Sequence, residues 1–343
     1  MRAVIVNQLS KSCEIGTVAK PLLSKSHSIL VKVHYTAVNR ADLLQKQGKY
    51  PPPVGASDIL GLECSGEVVD ILCPEGSAGE VEQNGGQGKT QSKKFAIGDR
   101  VMALLEGGGY AEYAACAPGS LMRVPESWTL QQAACVPEVW LTAYQLLRRV
   151  ANMQPGENVL LHAGASAVSL AAAQLGSEVF HANSVVALTR SREKIPLCES
   201  MGTRAVSGRL RDEFFAEMPR AELFDVVLDP IVGENFWPCL SEMTRRDARY
   251  VVYASMGGPK VPDFNFGPVF RKSLSILTST LRARSLEYKA ALVADFEKDV
   301  LHPFLSPGRL KLNLDTVFPL ERVTEAHARL ENNDTGGKIV LAL

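Results

Sequence analysis

The fold is decided by the stretch Val159-Leu160-Leu161-His162-Ala163-Gly164-Ala165-Ser166-Ala167-Val168. An apolar run ends there in a turn of small residues, and a helical pattern follows through Leu175. A second apolar run, Val185–Thr189, comes next, so the spacing predicts a βαβ unit. Such a turn places helix N–H groups and the positive end of the helix dipole beside a pyrophosphate. Taken alone, the small residues are equally consistent with tight packing of helix on strand.

The same alternation continues on both sides of this stretch. Leu130–Val150 has apolar residues at helical spacing and is interrupted by Pro137, which predicts two short helices. Alternating apolar runs and helical patterns predict a parallel sheet that is buried on both faces. The further segments are a helix over 194–201 and strands at Phe224–Asp229, Arg249–Ala254 and Leu274–Thr280.

The flanking parts of the chain have a different character. Up to about residue 125, short β-rich runs are separated by glycine and proline, which predicts a small barrel or distorted sheet. After a helix over 285–300, strand patterns at 316–319 and 337–341 enclose a short helix, and we expect this tail to pack on the N-terminal part. The predicted domains are a β-rich domain, 1–126 with 283–343, and a dinucleotide-binding domain, 127–282. The polar stretch Gly76–Lys94 is interpreted as a surface loop.

Composition excludes several classes of function. A chain of 343 residues favours two domains. Lys plus Arg equals Asp plus Glu at 37 each, which argues against a broad nucleic-acid footprint. No apolar run is long enough to cross a bilayer, and the start lacks a secretory signal pattern. Seven dispersed cysteines are typical of reduced thiols, so we expect a cytoplasmic protein.

The end of the second strand indicates which dinucleotide binds. An NAD site usually places an acidic residue there for the ribose 2′-hydroxyl, but this chain reads Thr189-Arg190-Ser191. Arg190, Ser191, Arg192 and Lys194 offer donors to a 2′-phosphate instead, which favours NADPH. The alternative is a solvated basic face at a helix start, although cations there oppose the helix dipole.

Longer motifs resemble a known family. The chain resembles zinc-free quinone oxidoreductases of the medium-chain dehydrogenase/reductase superfamily, in the branch of the p53-inducible enzymes. The resemblance spans nearly the whole chain. It rests on the segments Val38–Leu43, Gln47–Tyr50, Ile59–Glu63, Met102–Leu105, Gly107–Gly109, Pro137–Leu147, Met256–Gly258, Leu281–Arg284 and Gly337–Leu341.

That resemblance implies an α/β protein with a GroES-like catalytic domain, a Rossmann doubly wound sheet domain and NADPH in the cleft between them. It also implies quinone or enone acceptors and a homodimer. Asn39 and Tyr50 are the expected catalytic residues, because they would lie near the nicotinamide and the acceptor. The expected cofactor-binding residues are Thr142, Gly164, Ala165, Ser166, Ala167, Val168, Thr189, Arg190, Ser191, Lys194, Tyr253, Met256, Gly257, Leu281, Arg282 and Lys338.

Zinc is not expected. Zinc-dependent members of the superfamily have a cysteine before the aspartate of the first motif and a histidine before the glutamate of the second. Here those motifs read Asn39-Arg40-Ala41-Asp42 and Gly61-Leu62-Glu63, and leucine cannot ligate a metal.

The proposed chemistry needs neither a metal nor a covalent nucleophile. A bound nicotinamide supplies hydride, and Asn39 and Tyr50 are candidate hydrogen-bond donors to the oxyanion that forms. The alternatives are a turn-capping role for Asn39 and a structural rim role for Tyr50. His162, next to the small-residue turn, is either structural or a neighbour of the cofactor.

Two positions depart from the family pattern. Ala167 and Ser169 stand where glycine is usual, and crowding there would cost about 1–3 kcal/mol. Three hypotheses remain open: an NADPH-dependent quinone reductase, a reductase of 2-alkenals or enoyl thioesters, and a non-catalytic member with impaired cofactor binding.

Overall fold

The computed structural model describes residues 1–7, 9–72, 94–208, 223–262 and 264–343. The loop interpretation of Gly76–Lys94 therefore lies outside the described residues, apart from Lys94.

The N-terminal and C-terminal parts of the chain build one β-rich domain, in which every strand pairing except that of β14 with β15 is antiparallel. Its strands are β1 (Arg2–Val6), β2 (Cys13–Thr17), β3 (Ile29–Ala37), β4 (Glu63–Ile71), β5 (Arg100–Leu104), β6 (Tyr113–Cys116), β7 (Leu121–Arg123), β14 (Leu314–Pro319) and β15 (Lys338–Ala342). The seven-stranded sheet has the order β14-β15-β3-β4-β5-β7, with β6 paired to β3, and β1 pairs separately with β2. Strand β15 pairs antiparallel with β3, so the tail packs on the N-terminal part as the sequence predicts.

The middle of the chain forms a parallel-sheet domain. Its strands are β8 (Asn158–Leu161), β9 (Ser184–Thr189), β10 (Arg204–Ser207), β11 (Phe224–Asp229), β12 (Thr244–Val252) and β13 (Ser275–Thr278). The sheet order is β10-β9-β8-β11-β12-β13, and every pairing is parallel. The strand order reverses direction between β8 and β11, and such a reversal opens a crevice at the carboxyl ends of these strands.

Helices cover both faces of the parallel sheet and buttress the β-rich domain. One face packs against buried side chains such as Trp140, Leu170 and Phe296, and the other against Phe236 and Leu240. Among the described residues, no helix combines the length and apolarity that crossing a membrane requires. The helices are α1 (Arg40–Lys46), α2 (Leu130–Ala133), α3 (Pro137–Tyr144), α4 (Ala167–Gln174), α5 (Ile195–Glu199), α6 (Phe236–Glu242), α7 (Phe266–Lys272), α8 (Leu286–Phe296) and α9 (Val323–Glu331).

The sequence patterns locate most of these elements, including the break at Pro137 between α2 and α3. Strand β2 is not predicted by these patterns, because it is largely exposed and lacks an apolar face. Helix α4 continues as a π-helical segment, Leu175–Val179, which takes up the extra length before β9. Helix α8 contributes to the core shared with α3 and α4, and the domain boundaries at 126 and 282 stay predictions.

Candidate functional site

The small-residue turn after β8 is shaped by close packing on β9. Ala163 adopts a left-handed backbone with φ of 49°. A Cβ at Gly164 would lie 2.7 Å from the Cβ of Ala187, so only glycine allows this approach. Ser166 caps α4, its Oγ accepting a hydrogen bond from the Ser169 backbone N–H at 3.3 Å. The turn therefore presents the first-turn amides of α4, which have no acceptor within the helix, at the crevice.

Ser169 is accommodated by hydrogen bonds. Its Oγ donates to the carbonyl oxygen of His162 at 3.0 Å and accepts from the Ser166 hydroxyl at the same distance. Tyr253, at the end of β12, lies beside both serine hydroxyls, and burial raises the pKa of its phenol. Since the buried hydroxyl is satisfied, Ser169 does not leave a polar group unpaired between α4 and the sheet.

Ala167 faces the other domain. Its methyl group helps line a cavity of about 10 Å³, together with Trp140, Ala171 and Lys338. Nearby, the Nε2 atom of His162 is buried and has no hydrogen-bond partner among the described residues.

Replacing Gly164 by alanine is expected to reduce the free energy of unfolding by about 1–3 kcal/mol, because the new methyl group meets Ala187. Ala187→Gly in the same molecule is expected to recover much of that loss. Urea unfolding of both single variants and the double variant measures the coupling. Strictly additive losses would contradict the packing argument.

A buried polar cluster lies between the start of α1 and β15. The Nζ of Lys338 donates to Asn39 Oδ1 and lies 2.6 Å from Glu63 Oε1. The amide nitrogen of Asn39 donates to the same Glu63 oxygen at 2.8 Å. Glu63 is fully buried, and Lys338 is 3% exposed. The cluster thus fixes the Asn39 side chain and pairs two buried charges.

Asp42 and Glu138 border this cluster. Asp42 accepts hydrogen bonds from the backbone N–H groups of Asn39 and Gly61, and burial raises its pKa to about 6. The backbone N–H of Glu138 donates to Glu63 Oε2 at 2.9 Å. Burial, and then the charge of Glu63, raise the pKa of the Glu138 carboxyl to about 8. These surroundings favour the protonated carboxyl of Glu138 at neutral pH.

Arg282 holds Tyr50 in place. Its guanidinium carbon lies 5.4 Å from the centre of the Tyr50 ring, and Nη2 donates to Gln45 Oε1 at 2.8 Å. Its Nε donates to the carbonyl oxygen of Glu106 at 2.7 Å. The carboxylate of Glu106 in turn accepts from Lys289 at 2.6 Å. Arg282 is only 4% exposed, so its contacts lie in the interior of the protein. They join the segment after β13 to the β-rich domain.

The basic segment after β9 reaches across to the β-rich domain. Arg190 is exposed at the strand end, and Ser191 is half-buried. The Nζ of Lys194 donates to the carbonyl oxygens of Asn333 and Thr335, at 2.6 and 2.8 Å. Burial lowers the pKa of Lys194. Lys194 therefore ties the segment after β9 to the segment between α9 and β15.

Sequence reasoning did not identify the turn after β11, which packs against the predicted site residues Met256 and Gly257. Val232 has a φ of 58°, which is strained for a β-branched residue. The backbone N–H groups of Met256 and Gly257 donate to the carbonyl oxygens of Pro230 and Ile231, at 2.9 and 2.8 Å. A Cβ at position 233 would lie 2.7 Å from the carbonyl oxygen of Gly257, so the glycines at both positions are the signal that points to this turn.

The structure brings several predicted site residues into direct contact. Asn39 meets Lys338, and Tyr50 meets Arg282. Gly164 donates its N–H to the carbonyl oxygen of Leu188, next to Thr189. Thr142 is half-buried on α3, whereas Leu281 lies in the main core. The partners that sequence reasoning missed are Arg40, Glu106, Glu138, Lys289 and Asn333.

Within the described ranges, no group of three His, Cys, Asp or Glu side chains is arranged to hold a metal ion.

Comparisons with known proteins agree with this architecture. Residues 25–126 match the alcohol dehydrogenase GroES-like domain, and residues 203–341 match the zinc-binding dehydrogenase model. The chain is 29% identical to the quinone oxidoreductase-like protein 2 of Mus musculus, with 100% of this chain and 92% of the mouse protein covered.

Solved structures give the same result. A quinone oxidoreductase from Thermus thermophilus, solved also in complex with NADPH, superposes with a TM-score of 0.78 at 25% identity over 100% of both chains. An NAD-dependent alcohol dehydrogenase superposes with a TM-score of 0.80, also at 25% identity and with both chains fully covered. The chain, with its GroES-like and Rossmann domains, therefore belongs to the medium-chain dehydrogenase/reductase superfamily of oxidoreductases.

Proposed function

We propose that this oxidoreductase uses NADPH to reduce quinones or related electron-poor acceptors by hydride transfer, without zinc. The observation that carries the proposal is the pair of features at the ends of β8 and β9. A tight glycine turn opens onto a helix start, and Arg190 with Ser191 and Lys194 stands where an NAD site would have a carboxylate.

The residues of the crevice suit a dinucleotide. Residues 164–167 carry only small side chains, which suits the close approach of a pyrophosphate to the backbone. The Nε2 atom of His162, beside this turn, is buried and has no hydrogen-bond partner within the described ranges. Tyr253, Met256 and Gly257 would line the wall of the site, with Thr142 and Leu281 towards the nicotinamide.

The acceptor would lie at the other end of the crevice. When bound, the cofactor supplies the hydride. Burial raises the pKa of Tyr50, so its hydroxyl stays a donor at neutral pH. Asn39 is held by Lys338 and Glu63. Together, Tyr50 and Asn39 would orient an acceptor oxygen and stabilise the negative charge that develops on it.

Zinc independence is supported by what occupies the ligand positions of zinc-dependent relatives. Asn39 lies near the position of the first zinc ligand, a cysteine, and its side chain donates a hydrogen bond to Glu63. Leu62 occupies the position of the second ligand, a histidine, and is buried. Glu63 itself is engaged with Lys338 at 2.6 Å. An amide, a leucine and an ion-paired carboxylate do not form a zinc-binding set.

Titration of the purified protein with NADPH and NADH is the decisive experiment. We expect NADPH to bind roughly 10- to 100-fold more tightly, since the 2′-phosphate gains charge-assisted hydrogen bonds. Arg190→Ser should reduce that preference while leaving NADH binding unchanged. Calorimetry or nicotinamide fluorescence provides the readout.

Each outcome separates the hypotheses. Equal affinity for both cofactors would contradict the assignment of NADPH, and binding of neither would favour a non-catalytic member. If NADPH binds, turnover with benzoquinones, 2-alkenals and enoyl thioesters distinguishes the acceptor classes. Turnover of alkenals or thioesters in preference to quinones would overturn the quinone proposal.

A homodimer and a cytoplasmic location are part of the same proposal. The edge strand β13 carries the exposed Ile276, and Phe266 and Phe270 nearby are 58% and 78% exposed. Exposed apolar side chains beside an open sheet edge favour pairing with a second copy, which light scattering tests. The described cysteines are free thiols, as in a reducing compartment.

A further inference from the structure

Arg40 contacts the same residue, Asn333, as Lys194 does, although Arg40 comes from the β-rich domain. It is the first residue of α1, and its side chain is half-buried. The Nη2 atom donates to the carbonyl oxygen of Leu330 at 3.1 Å and to Asn333 Oδ1 at 2.7 Å. The guanidinium is therefore fixed against the segment that links α9 to β15.

Lys194 reaches the same residue from the parallel-sheet domain. Its Nζ donates to the backbone oxygen of Asn333 at 2.6 Å, while Arg40 binds the side-chain oxygen. Asn333 has a left-handed backbone, with φ of 61°, which turns these two oxygens towards different donors. Two cations from the two domains thus converge on one residue.

Arg190 brings a third positive charge to this point. Burial lowers the pKa of both Arg40 and Lys194, and the charge of Arg190 lowers each further. Like charges that approach one another in a partly buried place repel, and an anion between them relieves that repulsion.

The acidic groups around this point have partners of their own. Asp315 is bound to Arg329 at 2.8 Å, and Glu331 lies 3.6 Å from Lys46. Asp334 also faces Lys194 and is exposed. Because two of the three carboxylates are already paired, the three cations keep an excess of positive charge.

We propose that Arg40 is a specificity-determining residue that completes a site for the 2′-phosphate of the dinucleotide together with Arg190 and Lys194. This inference rests on the proposed use of NADPH. The guanidinium of Arg40 suits a phosphate because it offers several donors in one plane. The site is assembled from both domains, so selectivity for the 2′-phosphate requires that they meet at Asn333.

Calorimetric titration with 2′,5′-ADP and with 5′-AMP tests the proposal without turnover. The first probe carries the 2′-phosphate, and the second does not. We expect Arg40→Met to weaken 2′,5′-ADP binding about tenfold or more and to leave 5′-AMP binding within about twofold of the wild type. Arg40→Lys, which keeps the charge, should lose less. Arg322→Met, at the exposed start of α9, is the matched control and should change neither.

The outcomes separate this inference from the proposed function. If the wild-type protein does not prefer 2′,5′-ADP, the NADPH proposal fails and this inference fails with it. A wild type that prefers 2′,5′-ADP, with an Arg40→Met variant that keeps the full preference, would overturn only the role of Arg40. Equal weakening of both probes would show that Arg40 merely supports the fold, which also overturns it.

Discussion

Replacing Glu106 by alanine is expected to lower the free energy of unfolding by about 3–5 kcal/mol. The Lys289 ammonium group is 1% exposed and is bound by Glu106 Oε1 at 2.6 Å and by the carbonyl oxygen of Arg282 at 2.7 Å. Removing the carboxylate would leave a buried positive charge without its counter-charge, which costs far more than losing an exposed ion pair. Denaturant unfolding at neutral pH measures the loss.

Two further variants test whether the loss of stability comes from the buried charge of Lys289. Glu106→Gln keeps an oxygen acceptor for Lys289 and should be less destabilising than alanine. Glu112→Ala removes an exposed partner of Arg2 and should cost no more than about 1 kcal/mol. A loss for Glu106→Ala as small as that for Glu112→Ala would show that Lys289 does not depend on this carboxylate.

The same carboxylate should contribute to acid sensitivity. Burial alone would raise the pKa of Glu106, but hydrogen bonds from His27 and Lys289 lower it to about 2, from 4.5. Because the folded-state pKa lies below the unfolded one, its stabilisation is complete above pH 4.5 and is lost as the pH falls towards 2. The stability of Glu106→Gln should therefore fall less steeply than that of the wild type over this range.

Lys338→Ala is the second substitution with a large expected effect, again about 3–5 kcal/mol of unfolding free energy. It would leave the fully buried Glu63 carboxylate without its ammonium partner and would release Asn39 Oδ1. Nucleotide binding should fall because Lys338 is an expected cofactor-binding residue, and turnover should fall because Asn39 loses a contact that orients it. Urea unfolding and NADPH titration are the two measurements.

A double variant separates charge from packing in this case. Lys338→Met with Glu63→Gln removes both charges and keeps similar volumes, so it should be more stable than Lys338→Ala. Lys94→Ala, which removes an exposed lysine from its ion pair with Glu297, is the matched control and should cost about 1 kcal/mol at most. If the double variant is as unstable as Lys338→Ala, the loss comes from packing and the buried-charge argument is wrong.

Local sequence patterns were enough to predict most of the strands and helices. The apolar run Asn158–Leu161 with its small-residue turn identifies β8 and α4, because strand and helix periods are properties of neighbouring residues. Pro137 likewise predicts the start of α3.

Contacts between distant residues could not be predicted in this way. The sequence indicates that Lys194 is basic and near the end of β9, but its acceptors lie 139 and 141 residues further along the chain. The partners of Arg282 in the first domain lie 176 to 237 residues away. Such pairs depend on how the two domains meet.

Ser169 shows how the surroundings of a residue change its interpretation. Its side chain suggests crowding where the family has glycine. In the structure its hydroxyl reaches the carbonyl oxygen of His162 at the end of β8 and makes a hydrogen bond of 3.0 Å. The serine therefore adds a hydrogen bond at this position. Only the relative position of β8 and α4 in the structure reveals it.

The pairing of β15 with β3 has a consequence for the order of events during synthesis. Strand β3 ends at Ala37, yet its partner ends at Ala342, so the β-rich domain cannot complete its sheet until residues up to 342 have left the ribosome. The parallel-sheet domain, whose strands lie between 158 and 278, can assemble earlier. Asn39 acquires its contact with Lys338 only when β15 is added, and Tyr50 its contact with Arg282 only after the second domain has been made. The contacts that position Asn39 and Tyr50, the proposed acceptor-binding residues, thus form late in the assembly of the molecule.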